Sequence, residues 1–373
     1  MLFPEPNRFT NYKSTVKIQE ATENFERWLA AHVSLVPHDI KYKHLEMSTS
    51  PFAFLRAAFY RWAQLWPQIC PKLSAAPKVL AVGDLHVENF GTWRDMEGRL
   101  IWGINDFDEV FPFAYTADLV RLATSAHLAI AIEGLCIGGA NACKAIEDGY
   151  RDSLRAGGRA FVLAEDHSWL RKIALNELRD PVHFWARMKS LPRITGEIPR
   201  DARKLIEETL PQKGMAYSLL RRLAGLGSLG HPRIVALADW GGGYIAREAK
   251  GVRPSACIWA TGTKRNLPIL SPKLISKAVR VPDSCVRYQV PWMVRRLAPD
   301  CSRIELSSLP EKRDETRLLY SMGWETANIH LASRSAIPAV RKDLAKRSGK
   351  WLLWAAKSMA AEITRDWKKW RRA

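Results

Sequence analysis

Residues 79–118, VLAVGDLHVENFGTWRDMEGRLIWGINDFDEVFPFAYTAD, decide how this chain is read. A short apolar run, 79–82, delivers a glycine and then Asp84, His86 and Asn89. A second run, 100–104, delivers Asn105, Asp106, Asp108 and Glu109. Between them, residues 90–93 and 100–104 flank a polar stretch, 94–99, that contains Gly98. Apolar runs bounded by Gly and Asp predict a β-hairpin with polar groups gathered at the strand ends.

The spacing has chemical content. An Asp, an Asn five residues on, and an Asp-Phe pair beyond a hairpin follow the phosphoryl-transfer layout of protein kinases. In that layout Asp84 orients the acceptor hydroxyl. Asn89 and Asp106, with Asp108 as a further ligand, hold Mg²⁺ against the nucleotide phosphates. Hard oxygen donors suit Mg²⁺, which leans on few carboxylates. The plainer account is that Asp84 and Asp106 only cap turns; several polar residues converging in one short segment favour the site. His86 and Asp118 read as structural support. Asp118 opens a helix, where the dipole favours an anion, and is placed to accept hydrogen bonds from the loop around Asp84. The Gly-Asp-Leu-His form, with Asp118-Leu119 downstream, resembles aminoglycoside and choline kinases more than protein kinases. Val82 departs from them, standing where they usually carry His.

A second informative stretch is 223–249, LAGLGSLGHPRIVALADWGGGYIAREA. Gly225, Gly227 and Gly230 form a Gly-x-Gly-x-x-Gly run with Ser228 inside it, and glycine backbones can approach phosphates closely. A strand-like run at 233–238, a triple-glycine turn and a second strand-like run at 244–247 follow. A dinucleotide-binding reading needs a helix after the glycines, and these residues are strand-like. The order matches the start of a kinase small lobe, with Arg247 as the basic strand residue facing the phosphates. Here, however, the glycine run follows the acidic segment. The expectation is therefore an α+β, protein-kinase-like (aminoglycoside-phosphotransferase-like) two-lobed fold, circularly permuted, with a largely helical large lobe. Its divisions are 1–215 for the helical lobe with the catalytic hairpin, 216–270 for a small β-rich glycine-loop lobe, and 271–373 for a mixed, then helical part. Permutation is tolerated when the old termini lie close together at the surface.

Composition sets the outer bounds. The chain has 373 residues, 47% of them hydrophobic, and fifteen Trp, enough for a sizeable core. The formal net charge of +19 attracts polyanions without saying which. Six Cys with no Cys-x-x-Cys pattern argue against a disulfide framework or structural zinc and fit a reducing cytoplasm. Residues 1–13 lack a signal-peptide core. The most apolar long window, 119–143, is interrupted by Arg121, His127 and Glu133, so no membrane span is expected.

Outside the two motifs the periodicity predicts helices at 14–36, 50–66, 118–133, 141–155 and 318–333. Residues 38–47 read as a basic loop in which Lys41, Lys43 and His44 could approach phosphates, although a solvated loop is the plainer account, and His330 reads as a packed core histidine. Residues 350–372 form a basic, Trp-rich amphipathic helix whose stripe is expected to dock on the core.

SPFAFLRAA at 50–58, GDLHVENFG at 83–91, NDFDEV at 105–110, DLVRLATS at 118–125, GLGSLG at 225–230 and REA at 247–249 together resemble the bacterial family called domain of unknown function 2252. The resemblance implies an architecture and a site more than a reaction. Arg247 departs from it, standing where that family usually has Lys, and Arg is no simple substitute for a point-charge Lys. The functional expectation is a Mg²⁺-dependent, ATP-using phosphotransferase acting on an unidentified hydroxyl-bearing acceptor. The rivals are a non-catalytic nucleotide-binding pseudokinase, motivated by Arg247, a metallophosphoesterase built on Gly83-Asp84-Leu85-His86, and a nucleic-acid-binding protein suggested by charge alone.

Overall fold

The computed structural model of the chain describes residues 16–133, 137–163, 166–175, 180–263, 268–301, 303 and 314–372. The first four strands are β1 (Lys78–Ala81), β2 (Phe90–Arg94), β3 (Leu100–Ile104) and β4 (Phe111–Ala114). β2 and β3 form the hairpin that the alternating apolar runs predict, with Phe90 opposite Ile104 and Arg94 opposite Leu100. Gly98 takes φ 72° in the connecting turn, a left-handed conformation that favours glycine. A short β5 (Phe161–Val162) adds to β3. β1 and β4 pair antiparallel, with Ala81 opposite Phe111. The loop leaving β1 and the loop entering β4 therefore emerge at the same end, which brings residues 82–89 beside residues 105–110.

Around these strands lies an all-helical core. Helices Tyr115–Glu133, Gly139–Ala156, Asp314–His330 and Trp351–Trp370 pack with Ile18–Ala30, Pro51–Ala57 and Phe59–Ile69. Trp62, Trp66 and Trp102 are buried almost completely. The last helix docks its apolar stripe, Leu352, Ala355, Met359 and Ile363, as its periodicity predicts. Buried Arg61 on helix Phe59–Ile69 ties it down through Asp366 at 2.7 Å. His330 is a core residue held between Tyr150 and Asp118. Among the described residues, no helix is long and apolar enough to cross a membrane.

Three local expectations are corrected. Residues 38–47 are no loop, because Pro37 sits at the first position of a helix, Pro37–Thr49, with its ring angle already set for helix. The 50–66 segment is two helices, broken at Ala58, whose backbone (φ −115°, ψ 46°) leaves the helical region. The first helix spans Ile18–Ala30 instead of 14–36, with residues 14 and 15 outside those described.

A second sheet completes the α+β architecture: β6 (Ser218–Arg221), β7 (Arg233–Trp240), β8 (Gly243–Gly251), β9 (Arg287–Gln289) and β10 (Trp292–Leu297). Their spatial order is β6-β7-β8-β10-β9, antiparallel throughout. The strand-rich unit thus reaches beyond residues 216–270, since its last two strands come from residues 287–297. One face, with Ile234, Ala236, Ala249 and Val294, is covered by helix Arg200–Glu207. On the other face Leu220, Val235, Ala246 and Leu297 meet Met188 of helix Pro181–Lys189. The remainder of that second face turns toward the hairpin.

The closest helix crossing sets a stability prediction. A Cβ at Gly149 would run into the Tyr320 carbonyl, and one at Gly323 into the Ile146 carbonyl. Gly149→Ala gains about 1 kcal/mol of helix propensity but must push two backbones apart. A net loss of about 1–3 kcal/mol is expected from such overpacking, read as a lower denaturation midpoint with an unchanged denaturant slope.

Candidate active site

The loop after β1 is shaped by a single buried carboxylate. Asp118, in the first turn of helix Tyr115–Glu133, accepts from the amide of Val82 at 2.7 Å and of Gly83 at 2.9 Å. Its Oδ2 also lies 2.9 Å from His330 Nε2. Gly83 turns with φ 86°, aiming Asp84 away from β1. One helical turn beyond Asp118, the fully buried Arg121 donates from Nε to Asp84 Oδ1 at 2.8 Å and bonds the same oxygen through NH2. Arg121 also donates to the Leu55 carbonyl at 2.8 Å and lies over the rings of Phe59 and Trp62. Both of its bonds to Asp84 fall on Oδ1, which leaves Oδ2 facing the glycine turn. A Cβ on Gly227 would sit 3.3 Å from that oxygen and 3.1 Å from the Arg56 carbonyl. Burial pushes the Asp84 carboxyl up to about 6, against the pull of Arg121.

Asn89 joins this loop to the hairpin. Its Nδ2 donates to the carbonyls of Asp84 at 3.1 Å and Asp106 at 3.2 Å, and its Oδ1 accepts from the Asp106 amide at 2.9 Å. Beyond it, Asp106 and Asp108 face Lys250. The ammonium lies 3.4 Å from both Asp106 oxygens and pairs directly with Asp108. Burial favours the neutral form of Asp106, but Lys250, Arg295 and Arg233 outweigh it and hold the carboxyl well below the usual range. Asp108 moves the other way, raised by burial and by the charge of Asp106.

Lys250, and not Arg247, is the basic residue that β8 presents here. Successive strand residues point to opposite faces, so positions three apart cannot share one. Lys250 lies opposite Arg233 and Met293 in the sheet, whereas Arg247 lies opposite Ala236 and Arg296. The Arg247 guanidinium donates to the Thr209 carbonyl at 2.9 Å, at the end of the helix covering the far face. The expectation that Arg247 reaches the site is therefore corrected. Glu248, on the face of Lys250, is completely buried among Arg222, Arg233 and Arg295. Burial pushes its carboxyl up, and the three arginines more than reverse this, holding it well below the usual range.

The glycine run is the connection from β6 to β7. Gly225 (φ 75°) opens a single 3₁₀ turn, Leu226–Ser228, and Ser228 Oγ accepts from Arg233 at 2.6 Å. Gly225, Gly227 and Ser228 line one small cavity of about 40 Å³ with Asp84, His86, Asn89, Asp106 and Asp108. Gly230 does not line it. Its carbonyl accepts from Val36 at 2.9 Å and its Cα packs against Ile40, so it anchors the turn to helix Pro37–Thr49. His86 is buried and, with Arg56 and Arg121 nearby, is held neutral far below its ordinary pKa.

An adjoining cleft of about 940 Å³ runs beneath the five-stranded sheet and shares Asn89, Asp106, Gly225 and Arg303 with the small cavity. Its walls carry eight arginines against two aspartates, with apolar surface from Phe107, Met293 and Leu297. Arg121, which sequence reasoning missed, follows Asp118 by one helical turn. Lys250, which the sequence allowed only as a substitute needing a bent strand end, needs no bend because it has the strand parity of Glu248. Lys43, on the cavity wall, was set aside because its helix was read as a solvated loop.

Residues 35–183 match the model of a family described as "Uncharacterized protein conserved in bacteria (DUF2252)". This supports the family resemblance across the Asp84 loop and the hairpin; the glycine turn and β8 lie outside the matched residues. No curated protein and no solved structure matches the chain.

Asp118 gives the second prediction. Asp118→Ala leaves the buried Val82 and Gly83 amides and the His330 ring without their acceptor. At about 1–3 kcal/mol for each of these three buried groups, a loss of at least about 3 kcal/mol is expected in equilibrium denaturation.

Proposed function

We propose that the protein is a Mg²⁺-dependent phosphotransferase that moves the terminal phosphoryl group of ATP to a hydroxyl, on a kinase-like arrangement with permuted chain order. One observation carries the reading. Asp84, Asp106 and Gly227 line one cavity, although the acidic and glycine segments are far apart in the chain. Lys250 reaches Asp106 from the third strand of a five-stranded sheet whose first two strands are joined by the glycine turn, the position where kinases carry their phosphate-binding lysine.

The roles follow from geometry. Asp84 Oδ2 is the base that accepts the hydroxyl proton, while Arg121 fixes the carboxylate through Oδ1. Lys250 and the arginine-lined cleft take the negative charge of the polyphosphate, and Asn89 keeps the two acidic loops in register. Among the described residues, no three His, Cys, Asp or Glu side chains are grouped as metal ligands. Mg²⁺ does not need such a cage, since it binds through one or two carboxylates plus substrate phosphates and water. Asp106 and Asp108, with the remaining lone pair of Asn89 Oδ1, fit that demand. The ion would supply charge neutralisation on the phosphates. The pseudokinase reading loses its motive, because it rested on Arg247. A two-metal phosphoesterase would need the ligand groups that the described residues lack.

Mg²⁺ with ATP is expected to raise the melting temperature by several degrees, with no such shift in Asp106→Ala or in the presence of a chelator. An unmoved native protein at millimolar Mg·ATP overturns the reading. Turnover should follow the Asp84 carboxylate. With its pKa raised to about 6, the base is protonated and idle at lower pH, and the rate climbs as pH rises through about 6. Asp84→Asn should lower the rate at least about a hundredfold while keeping the nucleotide-induced shift.

A further inference from the structure

Lys43 is the group that the reading above leaves unused. It lies on helix Pro37–Thr49, is 3% exposed, and lines the small cavity that holds Asp84 and Gly227. Among the described residues its ammonium makes one long hydrogen bond, 3.4 Å to the Gly227 carbonyl, and pairs with no carboxylate within 4 Å. Three acids act on it from nearby: Glu26 and Glu109 are committed elsewhere, and Asp84 is held by Arg121 through Oδ1. Glu26 is 2.7 Å from His44, and Glu109 is taken by Arg253, Ser255 and the Ala256 amide. Burial of an ammonium without a partner costs several kcal/mol, and it pushes Lys43 down to about 8. Such a charge is retained where an anion completes it.

The position says which anion. Asp106 and Asn89 border both the large cleft and the small cavity. Lys250 stands at Asp106 on the sheet, whereas Lys43 stands beyond, beside the glycine turn and Asp84. A polyphosphate entering from the cleft meets Asp106, with Lys250 behind it, first. Only its last phosphoryl group reaches the small cavity, where the acceptor hydroxyl must also arrive if Asp84 is the base. We infer that Lys43 is a binding residue for the terminal, transferable phosphoryl group, contributed by an N-terminal helix through the glycine turn. The inference rests on the phosphotransferase reading.

The test compares two nucleotides on the full chain, native and Lys43→Met, by thermal shift with Mg·ATP and with Mg·ADP. Methionine matches the length of lysine without its charge, so the free variant should melt at or above the native temperature. Lys43→Met is expected to weaken ATP binding about tenfold or more and leave ADP binding within about twofold. Lys43→Arg should recover part of the ATP preference. Equal losses for both nucleotides, or no loss for either, overturn the role of Lys43 and leave the phosphotransferase reading intact. A native protein that responds to neither nucleotide removes the reading itself.

Discussion

The contact on which the site depends is the ionic junction of Lys250 with Asp106 and Asp108. It joins the five-stranded sheet to the end of the β2–β3 hairpin across 144 residues of chain. Lys250 is buried while Asp106 and Asp108 are partly exposed; desolvating a charge costs several kcal/mol, and mutual attraction repays this only with good geometry. The junction is therefore better understood as a positional device than as a source of stability. Arg233 and Arg295 stand beside it and pair with Glu248. The adjoining cleft carries an excess of positive charge, eight arginines against two aspartates.

A second constraint acts at right angles to the first. Antiparallel pairing of β1 with β4 places two acidic loops at one end, but pairing alone would leave their side chains free to scatter. Asp118 removes that freedom by binding two consecutive amides of the Asp84 loop, and Arg121 fixes the Asp84 carboxylate from the same helix. Asn89 then ties the Asp84 loop to the Asp106 loop through three hydrogen bonds. Because each loop is held by a buried, hydrogen-bonded group, the cavity between them is preorganised. This is the condition under which electrostatic stabilisation of transferring charge is strong.

The same burial that orders these groups separates their proton affinities. Asp84 is raised to about 6, whereas Asp106, closer to Lys250 and the arginines, is held low. Two carboxylates in one cavity thus acquire different characters, one suited to exchange a proton and one to remain an anion. Their residue type does not distinguish them; only the distribution of neighbouring cations does.

The sequence by itself determined the hairpin, the α+β class, the docked terminal helix and the core position of His330, because each follows from local periodicity or turn chemistry. It also marked Asp84, Asn89 and Asp106, since their spacing lies within one continuous segment. It misread residues 38–47, where Pro37 opens a helix, and it chose Arg247 over Lys250. The first error overlooked a local signal, a proline at a first helical position; the second concerns which face a residue presents, and a face has meaning only against a partner. Only the tertiary structure decided that β8 turns Lys250 toward the acids and Arg247 away, that the glycine turn closes beside Asp84, and that Lys43 ends buried without a counter-charge. Those outcomes depend on sheet register and helix packing between distant segments, which no local pattern encodes.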